Sequence, residues 1–209
     1  MTESRTPRSR IYDGRFYARV LDPFLSGLHG KLAQLVEPGG RVLDVGCGTG
    51  NLAFRMAPDA EEVVGIELSP AMVEYANQRR SDEGLEHVSF VLGDVVYAFR
   101  DRAAGYFDVA TMVLALHEMP AEARTPVLRE VTRVAKRLLC LDYRVPMPWN
   151  LAGARNRLLE VATGREHFGA FRDFYRRGGI AGIAESAGLV CERVRYIDHK
   201  SLDISVIRK

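Results

Sequence analysis

Lysine is nearly missing from this chain of 209 residues: of 29 basic residues only Lys31, Lys136, Lys200 and Lys209 are lysine, and the rest are arginine. The arginines form no stripe, and the formal net charge is only +2. Without a basic face the sequence makes no case for a nucleic-acid partner. No apolar run approaches the ~20 residues a membrane span requires, and the N-terminus lacks the apolar stretch of a signal peptide. Met1 to Arg10 is polar and basic instead. The expectation is no integral membrane segment and a cytoplasmic location. Three cysteines (Cys47, Cys140 and Cys191) make no disulfide framework, and an odd count scattered through core elements points to reduced thiols. Repeats, low-complexity tracts and interdomain linkers are absent. The length suits one sizeable core and not two ordinary domains, so 1–209 reads as a single domain. Oligomeric state stays open, a homodimer included.

What the chain does have is a run of glycines in one informative place. Residues 41 to 51 read Arg-Val-Leu-Asp-Val-Gly-Cys-Gly-Thr-Gly-Asn. Val42, Leu43 and Val45 suit a buried parallel strand. Gly46, Gly48 and Gly50 then precede a helical pattern at Leu52, Ala53 and Phe54. Strand, glycine turn and helix in that order let a ligand lie against bare backbone at the carboxyl end of a strand. A dinucleotide fingerprint G-x-G-x-x-G would place its third glycine at position 51, where Asn51 stands. A second strand, Val63 to Ile66, ends in Glu67, 23 residues after Asp44. At about that distance a carboxylate can grip both hydroxyls of a ribose. Ser69-Pro70 then suits a helix start, with the N-cap at 69 and Pro at the first helical position. A third strand, Val88 to Leu92, ends in Gly93-Asp94, and a fourth, Phe107 to Leu114, runs into Ala115-Leu116-His117-Glu118-Met119-Pro120.

The string Val-Leu-Asp-Val-Gly-Cys-Gly-Thr-Gly resembles the first motif of the class I S-adenosylmethionine (SAM) dependent methyltransferases. The resemblance covers about 40 to 145 tightly and the rest loosely. It implies a Rossmann-like α/β fold: a mostly parallel seven-stranded sheet, helices on both faces, and a closing β-hairpin. It implies SAM as cofactor, with Asp94 meeting the adenine amino group. Asp44, Gly46, Cys47, Gly48, Gly50, Asn51, Glu67, Leu68, Met72, Gly93, Val95 and Leu114 would complete the cofactor site, and Tyr12 and Tyr17 would close over it from a helical cap at 1–38. Cys47 has no flanking His or second Cys and reads as inert. Residues 115–120 would carry the acceptor side, under a helical insertion at 145–180.

Alternating patterns place strands near 41–45, 62–67, 87–92, 107–114 and 137–143, with helices near 50–57, 69–80 and 121–135. Tyr12 to Val36 reads as one or two helices interrupted near Pro23 and Gly27. The 92–105 crossing has only a short polar segment. Two helices, Trp149–Ala162 and Arg165–Arg177, precede a third at Ile180–Ala187, with Gly188 at its C′ position. Leu189–Ile197 and Ser201–Ile207 close the chain, joined by Asp198-His199-Lys200.

His117 stands beyond the fourth strand, where ligands bind in open α/β sheets, and imidazole titrates near working pH. It is the candidate base, with Glu118 beside it; the alternative is a loop-capping or packing role. His167, Phe168, Phe171, Phe174 and Tyr175 share one helix face. Spacing alone favours core for that face; the resemblance favours an acceptor pocket, with His117, Tyr143, Arg144, His167, Phe171 and Tyr175 lining it. A lone His-Glu dipeptide sends its side chains apart, so no metal is expected. Neither an Asn/Asp-Pro-Pro-aromatic run nor a Pro-Cys nucleophile follows the fourth strand, which leaves the small-molecule (type 11) branch. The implied acceptor is flat or lipophilic: a quinone, phenol or lipid-like molecule. Two rivals stay open, a nicotinamide-dependent oxidoreductase and a SAM-binding subunit without catalysis.

Overall fold

A computed structural model describes residues 18–19, 22–162 and 165–209. Tyr12 and Tyr17, expected over the cofactor, lie outside the described residues. The elements are α1 (Asp22–Ala33), β1 (Arg41–Val45), α2 (Asn51–Met56), β2 (Glu62–Glu67), α3 (Pro70–Glu83), β3 (Val88–Leu92), α4 (Val95–Ala98), β4 (Val109–Val113), α5 (Ala121–Val134), β5 (Leu138–Tyr143), α6 (Leu151–Ala162), α7 (Arg165–Arg176), α8 (Gly179–Ser186), β6 (Val190–Ile197) and β7 (Leu202–Arg208). One seven-stranded sheet has the order β3-β2-β1-β4-β5-β7-β6. The first five strands are parallel, and β7 runs antiparallel to both β5 and β6. This is the expected sheet with its closing hairpin.

Why the strands sit where they do follows from their side chains. In β1, β4 and β5 nearly every residue is buried, because helices cover both faces of a parallel sheet. Val42, Leu43, Val63, Ala110, Met112, Leu138 and Leu141 make its centre. The last strand in the order, β6, is mostly exposed and carries a bulge between Arg193 and Arg195, as an edge strand should. The β3–β4 crossing is the short one foreseen, holding only the four residues of α4.

Of the two expected breaks, the one near Gly27 is not there: α1 runs through it, from Asp22 to Ala33. Pro23 falls in the first turn, where a missing N–H costs nothing, and burial of His29 and Leu32 outweighs the propensity penalty of one glycine.

The chain winds outward from β1 to β3, then crosses back to start again at β4. β1 and β4 are therefore neighbours whose following loops diverge, the crevice in which open α/β sheets bind ligands.

Candidate active site

The glycine turn is tied to the sheet through its backbone: the N–H groups of Gly46 and Cys47 both donate to the Ile66 carbonyl, at 2.8 and 3.1 Å. Gly50 has φ 79° and is the N-cap of α2. A β-carbon there would meet Phe90 at 2.6 Å and Phe54 at 2.9 Å, so both conformation and space demand glycine. Cys47 is buried with its thiol pushed well up by burial, as befits an inert side chain. Thr49 donates to Asp22 at 2.6 Å, which docks the start of α1 on the turn.

Three acids stand at the carboxyl ends of adjacent strands. Asp44 is buried; Oδ1 accepts from Thr111 at 2.8 Å, whereas Oδ2 has no hydrogen-bond partner. Burial first, and then the charge of Glu67, hold its carboxyl up to about 7 against the lowering effect of Thr111. Glu67 is half-buried, and its Oε2 accepts from Gly48 N–H at 3.2 Å. Oε1 accepts from Leu68 N–H at 2.8 Å and Ser69 N–H at 2.9 Å, which fixes the turn into α3; the capping expected of the Ser69 side chain is not made. Asp94 is exposed and caps α4 through Val96 N–H at 2.9 Å. Gly93 and Val95 flank it, and Asn51 opens α2. Met72 is buried, its sulfur 3.7 Å from where a Gly48 β-carbon would lie, while Leu68 is 70% exposed. Leu114 holds φ 50° at the end of β4, a strained conformation for a branched side chain. The residues fit SAM. An orphaned buried carboxylate oxygen suits its ammonium, bare turn backbone suits close approach, and acids at the next strands suit ribose and adenine.

Residues expected on the acceptor side gather around His117, which is buried just beyond β4. Asp142 on β5 holds it twice: Oδ2 accepts from its backbone N–H at 3.1 Å, and Oδ1 lies 2.7 Å from Nδ1. Burial opposes the imidazolium, but Asp142, Glu118 and Glu160 outweigh it and hold His117 up to about 9. Its other nitrogen, Nε2, faces Glu160 Oε1 at 3.6 Å and Glu118 Oε1 at 3.8 Å. His167 Nε2 faces the same two carboxylates, at 3.5 and 3.4 Å. Tyr143 donates to Glu160 Oε1 at 2.8 Å. Rings of Tyr143, Phe171 and Phe174 surround His117, with centroids 4.7, 6.4 and 6.2 Å away.

Four of the residues expected at the acceptor, His117, Tyr143, His167 and Phe171, thus come together with Glu118. Tyr175 stands one step behind, its hydroxyl accepting from Met147 N–H at 3.2 Å. Arg144 turns away, its guanidinium 4.5 Å over the Tyr196 ring on the hairpin. The aromatic face of α7 is less a pocket wall than expected: Phe174 is fully buried and Phe171 nearly so, because that face packs on the loop carrying His117. Two residues escaped the sequence reading. Glu160 is buried on α6, and no spacing signal links it to His117. Arg124 on α5 is buried and donates to the carbonyls of Leu116 (3.1 Å) and Ala170 (2.6 Å) and to Asp173 (2.7 Å), stapling the His117 loop to α7.

Comparison with known proteins agrees with this geometry. A family model described as a methyltransferase domain matches residues 42–137. The chain is 30% identical over 168 residues to the ubiquinone biosynthesis O-methyltransferase of Xanthomonas axonopodis pv. citri, covering 78% of this chain and 67% of that protein. It is 36% identical over 115 residues to the demethylmenaquinone methyltransferase of Beutenbergia cavernae, covering 54% of this chain and 44% of that protein. The chain thus spans less than half the length of that second relative. A solved SAM-dependent methyltransferase from Aquifex aeolicus superposes with a TM-score of 0.68 over 93% of this chain and 98% of that one; at 20% identity this shows the fold alone. With the identity to the Xanthomonas protein extending over most of both chains, this chain belongs to the class I SAM-dependent methyltransferases of the small-molecule type.

Proposed function

We propose that this chain transfers a methyl group from SAM to a small organic acceptor, flat or lipophilic, of the quinone, phenol or lipid-like kind. The observation that carries this reading is the closeness of the two half-sites. A β-carbon on Gly46, in the cofactor turn, would stand 3.4 Å from the β-carbon of Ala115, two residues before His117. A methyl group presented at the turn therefore emerges beside the His117 loop. The names of two relatives, concerned with ubiquinone and demethylmenaquinone, support an acceptor of that class.

Bound SAM supplies a methyl already activated on a sulfonium. The chain's own task is to align the acceptor, exclude water and manage a proton. His117 orients the reacting atom, Glu118 with its half-open side chain (42% exposed) takes the proton, and the α6–α7 segment covers the acceptor. Expected to run without metal on sequence grounds, the reaction meets in the His117 group an arrangement that puts this to a direct test. Labelled SAM offered with a panel of quinols, phenols and phospholipids tests the reading. Label transferred to a small aromatic supports it. Binding of SAM with no transfer to any acceptor class would favour the rival, a SAM-binding subunit without catalysis.

A further inference from the structure

We infer that His117, Glu160 and His167 form a binding site for one divalent transition-metal ion, of the zinc, cobalt or iron(II) kind, with Glu118 within reach as a further ligand. Ligand atoms of the first three residues all lie within 4.8 Å of one another. The nitrogen-to-oxygen separations in the cluster run from 3.4 to 3.8 Å. These are too long for N–H···O hydrogen bonds, which fall at about 2.7–3.2 Å. His117 Nε2 meets Glu160 through Oε1 and His167 Nε2 meets it through Oε2, so the two imidazoles stand on either side of one carboxylate. Neighbouring ligands of one ion with bonds of about 2.0–2.1 Å stand about 3.3–3.4 Å apart, close to these separations. Two imidazoles and a carboxylate gathered within 4.8 Å, and not hydrogen-bonded to one another, are the core of the inference.

The surroundings agree. With Nδ1 directed at Asp142, His117 turns Nε2 to the cluster, the carboxylate–histidine arrangement that orients metal-bound imidazoles; a bound ion would take the place of the Nε2 proton. Tyr143 holds one oxygen of Glu160 in the same supporting manner. The imidazole planes of His117 and His167 are nearly perpendicular, at 83°, with both Nε2 atoms facing the same two carboxylates. Among the described residues, the ion pairs that Glu118 and Asp142 make within 4 Å are all with imidazoles. The nearby Arg124 is committed to Asp173 and to main-chain carbonyls. Two nitrogens and a carboxylate select a borderline ion over magnesium or calcium, which favour all-oxygen sites.

Three protein ligands leave a coordination position open, as catalytic sites do. An acceptor hydroxyl placed there would be held at a fixed distance from the glycine turn and made more acidic. This second half rests on the methyl-transfer reading; the binding of the ion does not. In the loaded protein His117 is a ligand and leaves proton removal to other groups.

The test is direct metal binding by the full chain. Chelator-stripped protein is titrated with cobalt(II) and zinc(II), followed by visible d–d absorption and elemental analysis, with S-adenosylhomocysteine affinity measured on the same sample. One equivalent is expected, with the absorption of a four- or five-coordinate site. His167→Ala, at a side chain still 19% exposed, should weaken binding roughly 100-fold or more while the melting profile stays cooperative. Glu160→Gln should do the same. Absence of stoichiometric binding, or unchanged affinity in His167→Ala, overturns the inference. If S-adenosylhomocysteine still binds, the methyltransferase reading stands without it.

Discussion

Asp142 commits both carboxylate oxygens to His117, one to the backbone N–H at 3.1 Å and one to the ring at 2.7 Å. The relationship ties the loop after β4 to the end of β5 and fixes which ring nitrogen faces the site. Asp142→Asn keeps the shape but removes the charge. It should cost about 1.5–3 kcal/mol of stability, read by denaturant unfolding, and should lower methyl transfer more than S-adenosylhomocysteine affinity.

Arg124 should behave as a staple and not as a ligand-binding residue. Arg124→Met removes the guanidinium donor shared by the Leu116 and Ala170 carbonyls and Asp173. Unfolding free energy should fall by about 3 kcal/mol. Hydrogen exchange should quicken in 165–176 first, with cofactor binding retained.

Glu67 should carry part of the cofactor affinity. Its two oxygens already accept three backbone N–H groups, and a carboxylate offers about four acceptor positions, so room remains for a ribose hydroxyl. Glu67→Ala should weaken S-adenosylhomocysteine by about 1.5–3 kcal/mol, roughly 10- to 150-fold in calorimetry.

Cofactor affinity should depend on pH through Asp44. Its carboxyl is held up to about 7, first by burial, and only the ionised form attracts an ammonium. Below about pH 7 binding must release a proton, so affinity should fall by up to about tenfold per pH unit and level off above that. The same raised value means the unfolded chain gives up this proton first, so the group's contribution to stability declines as pH rises from the ordinary carboxylate range to about 7. Asp44→Asn should abolish the pH dependence and weaken binding. It should also raise the melting temperature of the ligand-free protein above about pH 7.

Phe174 tests how far α7 is core. Fully buried, it should cost about 3–5 kcal/mol as Phe174→Ala, measured by unfolding. A stable variant with impaired acceptor turnover would instead make it a pocket residue.

The geometry of the glycine turn was legible in the sequence because its backbone conformation and close packing impose glycine at fixed positions, and the ends of three short apolar strands placed Asp44, Glu67 and Asp94 beside it. The acceptor half was legible only in part. His117 showed itself by standing at a strand end, but its partners Asp142, Glu160 and His167 come from β5, α6 and α7, and no periodicity connects four separate elements. Arg124 was hidden because an arginine on a polar helix reads as solvated until the fold closes over it. Gly27 misled for a local reason: a glycine reads as a break until the burial of His29 and Leu32 on the same helix is known.

The central claim, a cofactor site built for SAM, meets its most direct test in paired calorimetric titrations of the intact chain. S-adenosylhomocysteine should bind at one equivalent, with NAD giving no heat of binding. Tight NAD binding without binding of S-adenosylhomocysteine or SAM would contradict it.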